Sequence, residues 1–199
     1  MDRMQSQARM EDAAVVAQVL AGDREAYRAL VDRHSRNIFR VAFRVVHNDE
    51  DSEEIVQETF LRAYRNLAGF EQRANFSTWL YRIALNCALD MKKKRRHETG
   101  FVPIAEDPDP ETNEVQVAAT GASPERLAYS QRLRATVQSA MLELSDMERV
   151  AFTMRHIDGC SIDEIAEVLG VNGNAAKNRV YHAVKKIRTA LGPVVVSLR

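Results

Sequence analysis

The chain has 199 residues, with 28 basic and 28 acidic side chains, so its formal net charge is zero. Hydrophobic residues make up 45% and charged residues 28%, which is typical of a globular protein that buries a core. Residues 1–11 are polar and mixed in charge, unlike a signal peptide, and no apolar stretch approaches the ~18 residues of a membrane span. We therefore expect a cytoplasmic protein that does not insert into membranes.

The two cysteines, Cys87 and Cys160, lie among apolar neighbours in helical patterns, so we expect reduced, buried thiols. His156 and Cys160 are four residues apart, but two ligands do not make a zinc site. The sequence shows no nucleophile–base pair, metal cluster or glycine-rich phosphate loop. We expect no catalytic residue, no metal and no cofactor.

Charge is unevenly distributed along the chain. Residues 168–199 contain no Asp or Glu, and residues 92–96 are an unbroken basic run. Acidic residues collect at 49–58 and 98–125. This asymmetry indicates that the basic residues form a surface that binds an anion, while other surfaces bind other partners.

Helical spacing recurs throughout the chain, and the first clear helix is predicted to begin at Asp23 as N-cap. We expect it to end near residues 47–48. Its predicted inward face consists of Tyr27, Leu30, Val31, Ile38, Val41, Ala42 and Val45.

The next helix is predicted to be capped by Asp51 or Ser52 and to end at Gly69. Val56, Phe60, Ala63 and Leu67 form its predicted buried stripe. Its outward face is a mixture of acids, an amide, a leucine and an arginine, namely Glu54, Gln57, Glu58, Leu61 and Arg65. An outward leucine among acidic and polar residues indicates a stripe that binds another protein. The alternative is an acidic face that is only solvated.

A polar stretch at residues 71–75 leads into a third helix. Its predicted apolar face is Phe76, Leu80, Ile83, Cys87 and Met91. The opposite face carries an aromatic ring, an amide and cations, namely Trp79, Arg82, Asn86 and Lys93. This mixture suits single-stranded DNA, because bases stack on aromatic rings and cations hold phosphates. Trp79 could equally anchor the core, and the basic run could be a solvated helix end rather than a phosphate contact.

Residues 98–121 contain three prolines and several acids but no Lys or Arg, which is typical of a linker. Helix is predicted to resume with Ser123 as N-cap and Pro124 at the first helical position. We therefore predict an all-α protein of two small helical domains joined by a flexible acidic linker. The predicted boundaries are an N-terminal helix or tail at 1–22, domains at 23–97 and 124–199, and a linker at 98–123.

The second domain reads as a helix-turn-helix. Capping boxes begin at Ser145 and Ser161, Gly170 suits a left-handed helix end, and Asn174 is the predicted N-cap of the second helix. That helix turns Ala176, Val180, Ala183, Ile187 and Leu191 inward. It turns Lys177, Asn178, Tyr181, His182, Lys185 and Arg188 outward. We expect Arg179, Lys185 and Lys186 to meet phosphate and the other outward residues near its start to reach base edges. A plain three-helix bundle with a solvated basic face is the alternative.

Three segments together resemble bacterial sigma factors. Residues 51–61 (DSEEIVQETFL) resemble their core-polymerase-binding segment, 76–87 (FSTWLYRIALNC) their −10-reading helix, and 157–182 (IDGCSIDEIAEVLGVNGNAAKNRVYH) their −35-reading domain. Order and spacing resemble the extracytoplasmic-function (ECF) group, which keeps domains two and four. The chain departs from the family at Ala175, Ala176 and Cys160, where Thr, a larger aliphatic residue and Leu are usual.

The resemblance implies partners for each segment. The stripe of Glu54, Gln57, Glu58, Leu61 and Arg65 would bind the β′ clamp coiled coil of core RNA polymerase, and domain four the β flap. Residues 71–75 would form a pocket for a flipped −10 base, so Asn75 and Phe76 join the −10-reading residues. The linker would pass through the RNA exit path, unless it is only a tether. An anti-sigma factor would hide these surfaces.

The function expected from the resemblance is a sigma factor that directs core polymerase to −10 and −35 promoter elements and promotes DNA melting. It would not be an enzyme itself. One rival is a conventional helix-turn-helix regulator, which would bind DNA on its own, usually as a dimer. The other is a nucleic-acid-processing enzyme, whose required carboxylate or metal cluster is missing from the sequence.

Overall fold

The computed structural model describes residues 2–70, 75–99 and 124–196, and all of their regular structure is helical, as predicted. The helices are α1 (Asp2–Leu20), α2 (Tyr27–Val46), α3 (Asp49–Arg65), a 3-10 turn (Leu67–Gly69), α4 (Phe76–Thr99), α5 (Pro124–Leu142), α6 (Asp146–His156), α7 (Ile162–Leu169) and α8 (Gly173–Val196). None of the helices in these ranges is both long and apolar enough to cross a membrane. Most of the predicted linker, at residues 100–123, lies outside the described residues.

α2 buries the face that its sequence predicts and ends where expected. Leu30, Ile38 and Val45 are fully buried, and His47 follows the helix in a left-handed conformation. Its start was predicted wrongly, because α2 begins at Tyr27 with Ala26 as N-cap. The Asp23 carboxylate instead accepts the Ala26 N–H at 3.2 Å, within the turn that precedes the helix.

α3 begins earlier than predicted. Asn48 is its N-cap, and the Asn48 side chain accepts the Asp51 N–H at 2.9 Å. Asp51 and Ser52 are therefore buried residues of the first turn and not caps. Asn48 is extended directly after the left-handed His47, so its short amide reaches the free N–H groups first. The buried face is accordingly centred on Ile55, while Val56 is only half-buried.

The C-terminal half consists of α5 to α8. α5 packs against α8 through a small core to which Ala140, Met141 and Leu144 contribute from one side and Ala183 and Ile187 from the other. α6 and α7 turn toward the N-terminal half. α2 contacts α6 and α4 contacts α7, so one continuous core extends through both halves.

α4 consequently has two buried sides, where the sequence pattern predicts one. Leu80 and Cys87 are buried as expected. Tyr81, Ala84 and Ala88 are buried as well. The additional burial exists because α7 packs on α4 as well as α2 and α3. The sequence predicts two domains but does not predict that they meet.

Arg149 joins the two halves at the start of α6. Only 5% of this residue is exposed, and its guanidinium donates to the carbonyls of Met141 at 2.8 Å, Leu144 at 2.7 Å and Arg44 at 2.7 Å. It also contacts Nε2 of His47. Carbonyls at helix ends lack intrahelical partners, and Arg149 satisfies those of α5 and α2 together.

Because a guanidinium can only donate, its contact with His47 requires an unprotonated Nε2 on the histidine ring. Burial, and then the charge of Arg149, lowers the pKa of His47 from 6.5 to about 4. Between these pH values the unfolded chain binds a proton that the folded protein excludes. Folding stability is therefore present above about pH 6.5 and is lost as the pH falls toward 4.

We predict that His47→Asn reduces the loss of thermal stability on acidification. Asn tolerates the left-handed backbone at position 47, so the substitution removes the titrating group without backbone strain. The melting temperature measured between pH 7.5 and 5.5 should fall less steeply in His47→Asn than in the wild type. His182→Asn, the same substitution at an exposed position, is the matched control. Equal slopes in wild type and His47→Asn would contradict the role of His47.

Candidate nucleic-acid interface

α7 and the turn after it are stabilised as the sequence predicts. Ser161 accepts the Glu164 N–H, the Glu164 carboxylate accepts the Ser161 N–H at 2.8 Å, and together they form a capping box. Ser145 forms a second capping box with Glu148 at the start of α6. Gly170 ends α7 with φ of 62°, a conformation that favours glycine.

α8 starts before the position that the sequence predicts. It begins at Gly173, and the Asn172 side chain accepts the Ala175 N–H at 2.8 Å. Asn172 is thus the N-cap, and Asn174 is an exposed residue of the first turn. The Val171 N–H bonds back to Ala166 at 3.0 Å, so the chain is turned by that residue and Asn172 is already placed to cap.

α8 presents a basic and aromatic face. Ala176, Ala183 and Ile187 are buried. Five of the predicted base-edge and phosphate contacts are exposed: Lys177, Asn178, Tyr181, His182 and Lys185. Tyr181 is 60% exposed and packs edge-on against His182, with ring centroids 5.5 Å apart. This face can therefore meet a DNA groove without rearrangement of the helix.

Two of the predicted phosphate contacts, Arg179 and Lys186, are less accessible to a ligand. Arg179 is half-buried, and its Nη1 is buried without a hydrogen-bond partner among the described residues. Lys186 donates to Glu148 at 2.8 Å and thereby joins α8 to α6. Lys186 therefore has a structural partner where the sequence predicts a phosphate contact.

The predicted −10-reading face of α4 is divided between surface and core. Arg82, Asn86 and Lys93 are exposed. Phe76 is only 3% exposed and faces the core, so its contact with DNA stays a prediction that this arrangement does not support. Its ring lies 5.5 Å from that of Phe70, which follows the 3-10 turn and holds the first turn of α4 against the core.

The sequence leaves open whether Trp79 anchors the core or faces DNA, and its position in the structure is compatible with both. It is half-buried, with its ring 5.2 Å from Phe70 and 5.7 Å from Phe76. The indole is thus anchored on one side and remains partly accessible on the other. The loop predicted to hold a flipped base lies outside the described residues, apart from Asn75.

Asn75 and Thr78, at the start of α4, contact the C-terminal half. The Asn75 amide donates to Glu164, and the Thr78 hydroxyl lies 3.4 Å from the same oxygen. In the basic run, Lys92 bonds to Asp146 at 2.6 Å and Arg95 pairs with Asp51. Parts of the predicted DNA surface are therefore already occupied by acids of the protein itself.

α3 and α4 enclose a groove of about 490 Å³. Leu61 lines it and is 51% exposed. Three other predicted polymerase contacts, Glu54, Gln57 and Glu58, line it from α3, and Arg65 is exposed nearby on the same helix. Arg62 bonds to Glu58 at 2.6 Å and reaches Asp90 at 3.7 Å, which fixes the two walls. The groove combines an apolar side chain with a polar rim, as protein-binding sites do.

Both cysteines are free and buried, as predicted. Burial raises the pKa of the Cys87 thiol, and it raises that of Cys160 to about 12. Neither is a thiolate near pH 7, so neither is a ready nucleophile or metal ligand. The described part of the chain holds no group of three or more metal-ligating side chains.

Sequence reasoning missed the residues that join the two halves. Asp158 bonds to Arg40 at 2.6 Å, Asp146 to Lys92, and Tyr81 is buried between α4 and the C-terminal half. The signal that could have found this contact is the second row of apolar residues on α4, where Ala84 and Ala88 follow Tyr81 at helical spacing.

Known proteins share both halves of the chain. Residues 30–98 match the family model of sigma-70 region 2, and residues 134–187 match that of sigma-70 region 4. The ECF sigma factor SigW of Bacillus subtilis is 32% identical over 88% of this chain and 94% of its own length. The ECF sigma-E factor of Escherichia coli K12 is 31% identical over 94% of this chain and 97% of its own length.

The chain belongs to the extracytoplasmic-function group of sigma factors. Two solved structures share its fold. CnrH, solved in complex with the cytosolic domain of CnrY, has a TM-score of 0.61 and 24% identity over 90% of this chain and 96% of its own. RpoE of Bartonella quintana, solved with the anti-sigma factor NepR, has a TM-score of 0.62 and 18% identity over 83% of this chain and 96% of its own.

The family match assigns the candidate surfaces of this sigma factor to its two regions. The α3 groove and the exposed face of α4 fall within region 2, and the basic face of α8 falls within region 4. α1 (Asp2–Leu20) lies outside both matched ranges, yet it packs against α2 and α4.

We predict that Asn172→Ala destabilises the C-terminal half by ~1 kcal/mol, because it removes the N-cap of α8. Asn174→Ala removes the same group from an exposed position two residues on and should change the free energy of unfolding by less than half as much. Urea denaturation followed by circular dichroism measures both. A larger loss for Asn174→Ala would restore Asn174 as the cap.

Proposed function

We propose that this sigma factor binds core RNA polymerase through the exposed face of α3 and directs it to promoters. The observation that carries the polymerase contact is Leu61, a half-exposed leucine in a groove whose polar rim contains both acidic and basic side chains. A partner that covers this leucine removes its apolar surface from water, which favours binding. We propose the β′ clamp coiled coil as that partner, because a helix fits a groove between two helices.

The −10 contact is proposed for α4. Arg82, Asn86 and Lys93 supply cations and an amide on its exposed side, and Trp79 supplies the accessible part of an aromatic ring. Stacking on such a ring contributes roughly 1–3 kcal/mol per base, which helps to hold a strand once it is unpaired. Phe76 supports this site only indirectly, by packing behind Trp79.

The −35 contact is proposed for α8. Lys177, Asn178, Tyr181 and His182 lie in its first three turns, the part of a recognition helix that reaches base edges in the major groove. Lys185 and Arg179 would meet phosphate, and Arg179 needs a change of side-chain rotamer to do so. Domain four would also contact the polymerase β flap.

The remaining roles follow from these contacts. The sigma factor would promote DNA melting through binding energy alone and would catalyse no reaction itself. The polymerase would catalyse RNA synthesis. Both would act in the cytoplasm. We propose domains at 23–97 and 124–199, with residues 98–123 as a tether or as a segment in the RNA exit path. An anti-sigma factor is a further proposed partner, since RpoE of Bartonella quintana was solved with one.

A transcription assay tests the proposal against a conventional helix-turn-helix regulator. The purified protein, mixed with core RNA polymerase and a promoter library, should yield transcripts from specific start sites. The protein without core should bind duplex DNA with little sequence preference. Specific binding as a dimer without core, and no transcript from any template, would favour the regulator.

We predict that Leu61→Ala weakens binding to core RNA polymerase about three- to tenfold, because covering the exposed half of a leucine contributes roughly half of the ~1.5–3 kcal/mol of its full burial. Leu20→Ala is the matched control: Leu20 is also 51% exposed but lies on α1, away from the groove. Fluorescence titration of labelled sigma factor with core measures both affinities. Equal losses for the two variants would contradict the assignment of the groove.

We predict that Asn86→Ala leaves the affinity for core unchanged and lowers the stability of the open promoter complex by about 1–3 kcal/mol, the contribution of an amide that reads a base. Asn178→Ala, the same change on α8, should weaken initial promoter binding instead. Footprinting and strand-opening assays with holoenzyme separate the two steps. If Asn86→Ala acts only through a lower affinity for core, α4 does not read the strand.

A further inference from the structure

The outer face of α2 carries two phenylalanines that the promoter contacts proposed above do not use. At about 100° per residue, Phe43 points almost directly away from the centre of the buried face, and Phe39 points roughly 130° away from it. Both rings are half-buried, and neither belongs to the two hydrophobic clusters formed by the described residues. The two rings are therefore aromatic surface outside the core.

These rings form a ladder with a third aromatic residue. Phe39 and Phe43 are stacked at an angle of 14°, and their centroids are 6.2 Å apart, close to the ~6 Å rise of four helical residues. His47 meets Phe43 edge-on, with centroids 6.1 Å apart, and Arg149 contacts His47. The ladder is thus held at one end by the core of the protein and is formed before any ligand binds.

Arginines alternate with the rings along α2. Residues 36–44 (RNIFRVAFR) repeat a Phe-Arg pair at a spacing of four and contain no acid. Arg36 is exposed, lies three residues before Phe39 on the same face, and has no ion-pair partner among the described residues. Arg40 is engaged with Asp158, so Arg36 is the cation that remains available beside the rings.

The charge of this face favours an anion. The single acid of α2, Asp32, lies at the N-terminal end of the face and pairs with Arg28 at 3.8 Å. Both side chains are at least 70% exposed, so solvent screens the pair. Two arginines, Arg28 and Arg36, therefore accompany one acid, and the cation nearest to the rings is the one that no acid neutralises.

Aromatic rings beside a cation are the pattern with which proteins hold single-stranded nucleic acid. Each ring offers its face to a base, and a guanidinium meets the phosphate. In a duplex the bases are already stacked on one another and have no free face for the rings. The surface therefore fits a single strand better than double-stranded DNA.

We propose that the outer face of α2 is a second single-stranded DNA site of region 2, in which bases of the opened promoter stack on Phe39 and Phe43 while Arg36 holds the phosphate. The proposal rests on the proposed function, because that function supplies the unpaired strand. α2 packs against α4, so this site and the −10 contacts proposed for α4 belong to one packed unit. The site is open in the structure and needs no rearrangement of helices.

The test changes the rings without removing the apolar surface. Phe39→Leu with Phe43→Leu, the leucine pair, keeps two apolar side chains and removes both aromatic faces. Phe39→Tyr with Phe43→Tyr, the tyrosine pair, keeps both rings and is the matched control. For the cation, Arg36→Gln is compared with Arg24→Gln, which removes the same charge from an exposed arginine in the turn before α2.

Fluorescence anisotropy measures the affinity of the full-length protein, without core, for an oligothymidylate of about 20 nucleotides and for a duplex of the same length. The leucine pair should bind the oligothymidylate about tenfold more weakly than the wild type, because stacked bases are lost. The tyrosine pair should bind like the wild type. Arg36→Gln should weaken binding up to about fivefold more than Arg24→Gln. Duplex binding should not respond to the ring variants.

Cross-linking locates the strand in the complete holoenzyme. The full-length protein with Phe39→p-benzoylphenylalanine, assembled with core polymerase on a promoter, should cross-link to a DNA strand within the melted region. Cross-links to a polymerase subunit and none to DNA would make this face of α2 a protein contact and would overturn the proposal.

Two further results would overturn the proposal: equal affinity of the leucine pair and the wild type for the oligothymidylate, or equal losses in the leucine and tyrosine pairs. If circular dichroism shows that the leucine pair is unfolded, the arginine comparison and the cross-link decide. Failure of the proposed function is a separate result. The wild type with core would then give no promoter-specific transcript, whereas binding of the oligothymidylate by the free protein would still depend on the rings.

Discussion

The burial of α4 on two sides is the constraint on which the rest of the structure depends. α2, α3 and α7 all pack against it. Ala84 and Ala88 are fully buried, and side chains this small let neighbouring helices approach closely. Because so much of its surface is covered, only a narrow strip of α4 remains exposed, and Arg82, Asn86 and Lys93 occupy it.

The polar groups around this packing explain why the halves meet in one register. Arg149 satisfies carbonyls of three different segments, so displacement of α6 from α2 would leave several buried groups unpaired. Burial raises the pKa of Asp158, and the neighbouring Arg40 opposes that shift. Arg44 and the Tyr81 hydroxyl also favour the charged form of this buried carboxylate, and such a group favours one register of the two halves more readily than it adds net stability. The interface is therefore well defined.

The net charge is zero, but acidic and basic side chains lie on different surfaces of the protein. The basic surface of α8 and the α3 groove, whose rim mixes acidic and basic side chains, are separate, so the proposed DNA and polymerase contacts do not overlap. The same division supplies the contacts between the halves, because acids of α6, α7 and their connection meet cations and donors of α1, α2 and α4. The charged side chains thus form ion pairs between the two halves and also line the surfaces proposed to bind partners.

The sequence by itself determined the helices, their inward faces and the family, because these depend on local spacing and on motifs such as the Ser161 capping box and the turn at Gly170. It located helix starts less well. Asp23, Asp51 and Asn174 looked like caps, whereas the caps of α3 and α8 are Asn48 and Asn172. The N-cap of α2 is Ala26, which forms no side-chain capping hydrogen bond. Several short polar residues can cap in each case, and the geometry of the preceding turn selects one.

Only the tertiary structure decided what lies between the domains. Phe76 and Asn75 appear in the sequence as members of a DNA-reading segment, but the first is buried against Phe70 and the second bonds to Glu164, 89 residues away. Periodicity shows that a residue faces inward or outward from its own helix. It does not show which other helix covers an outward face, because that depends on contacts between residues distant in the chain.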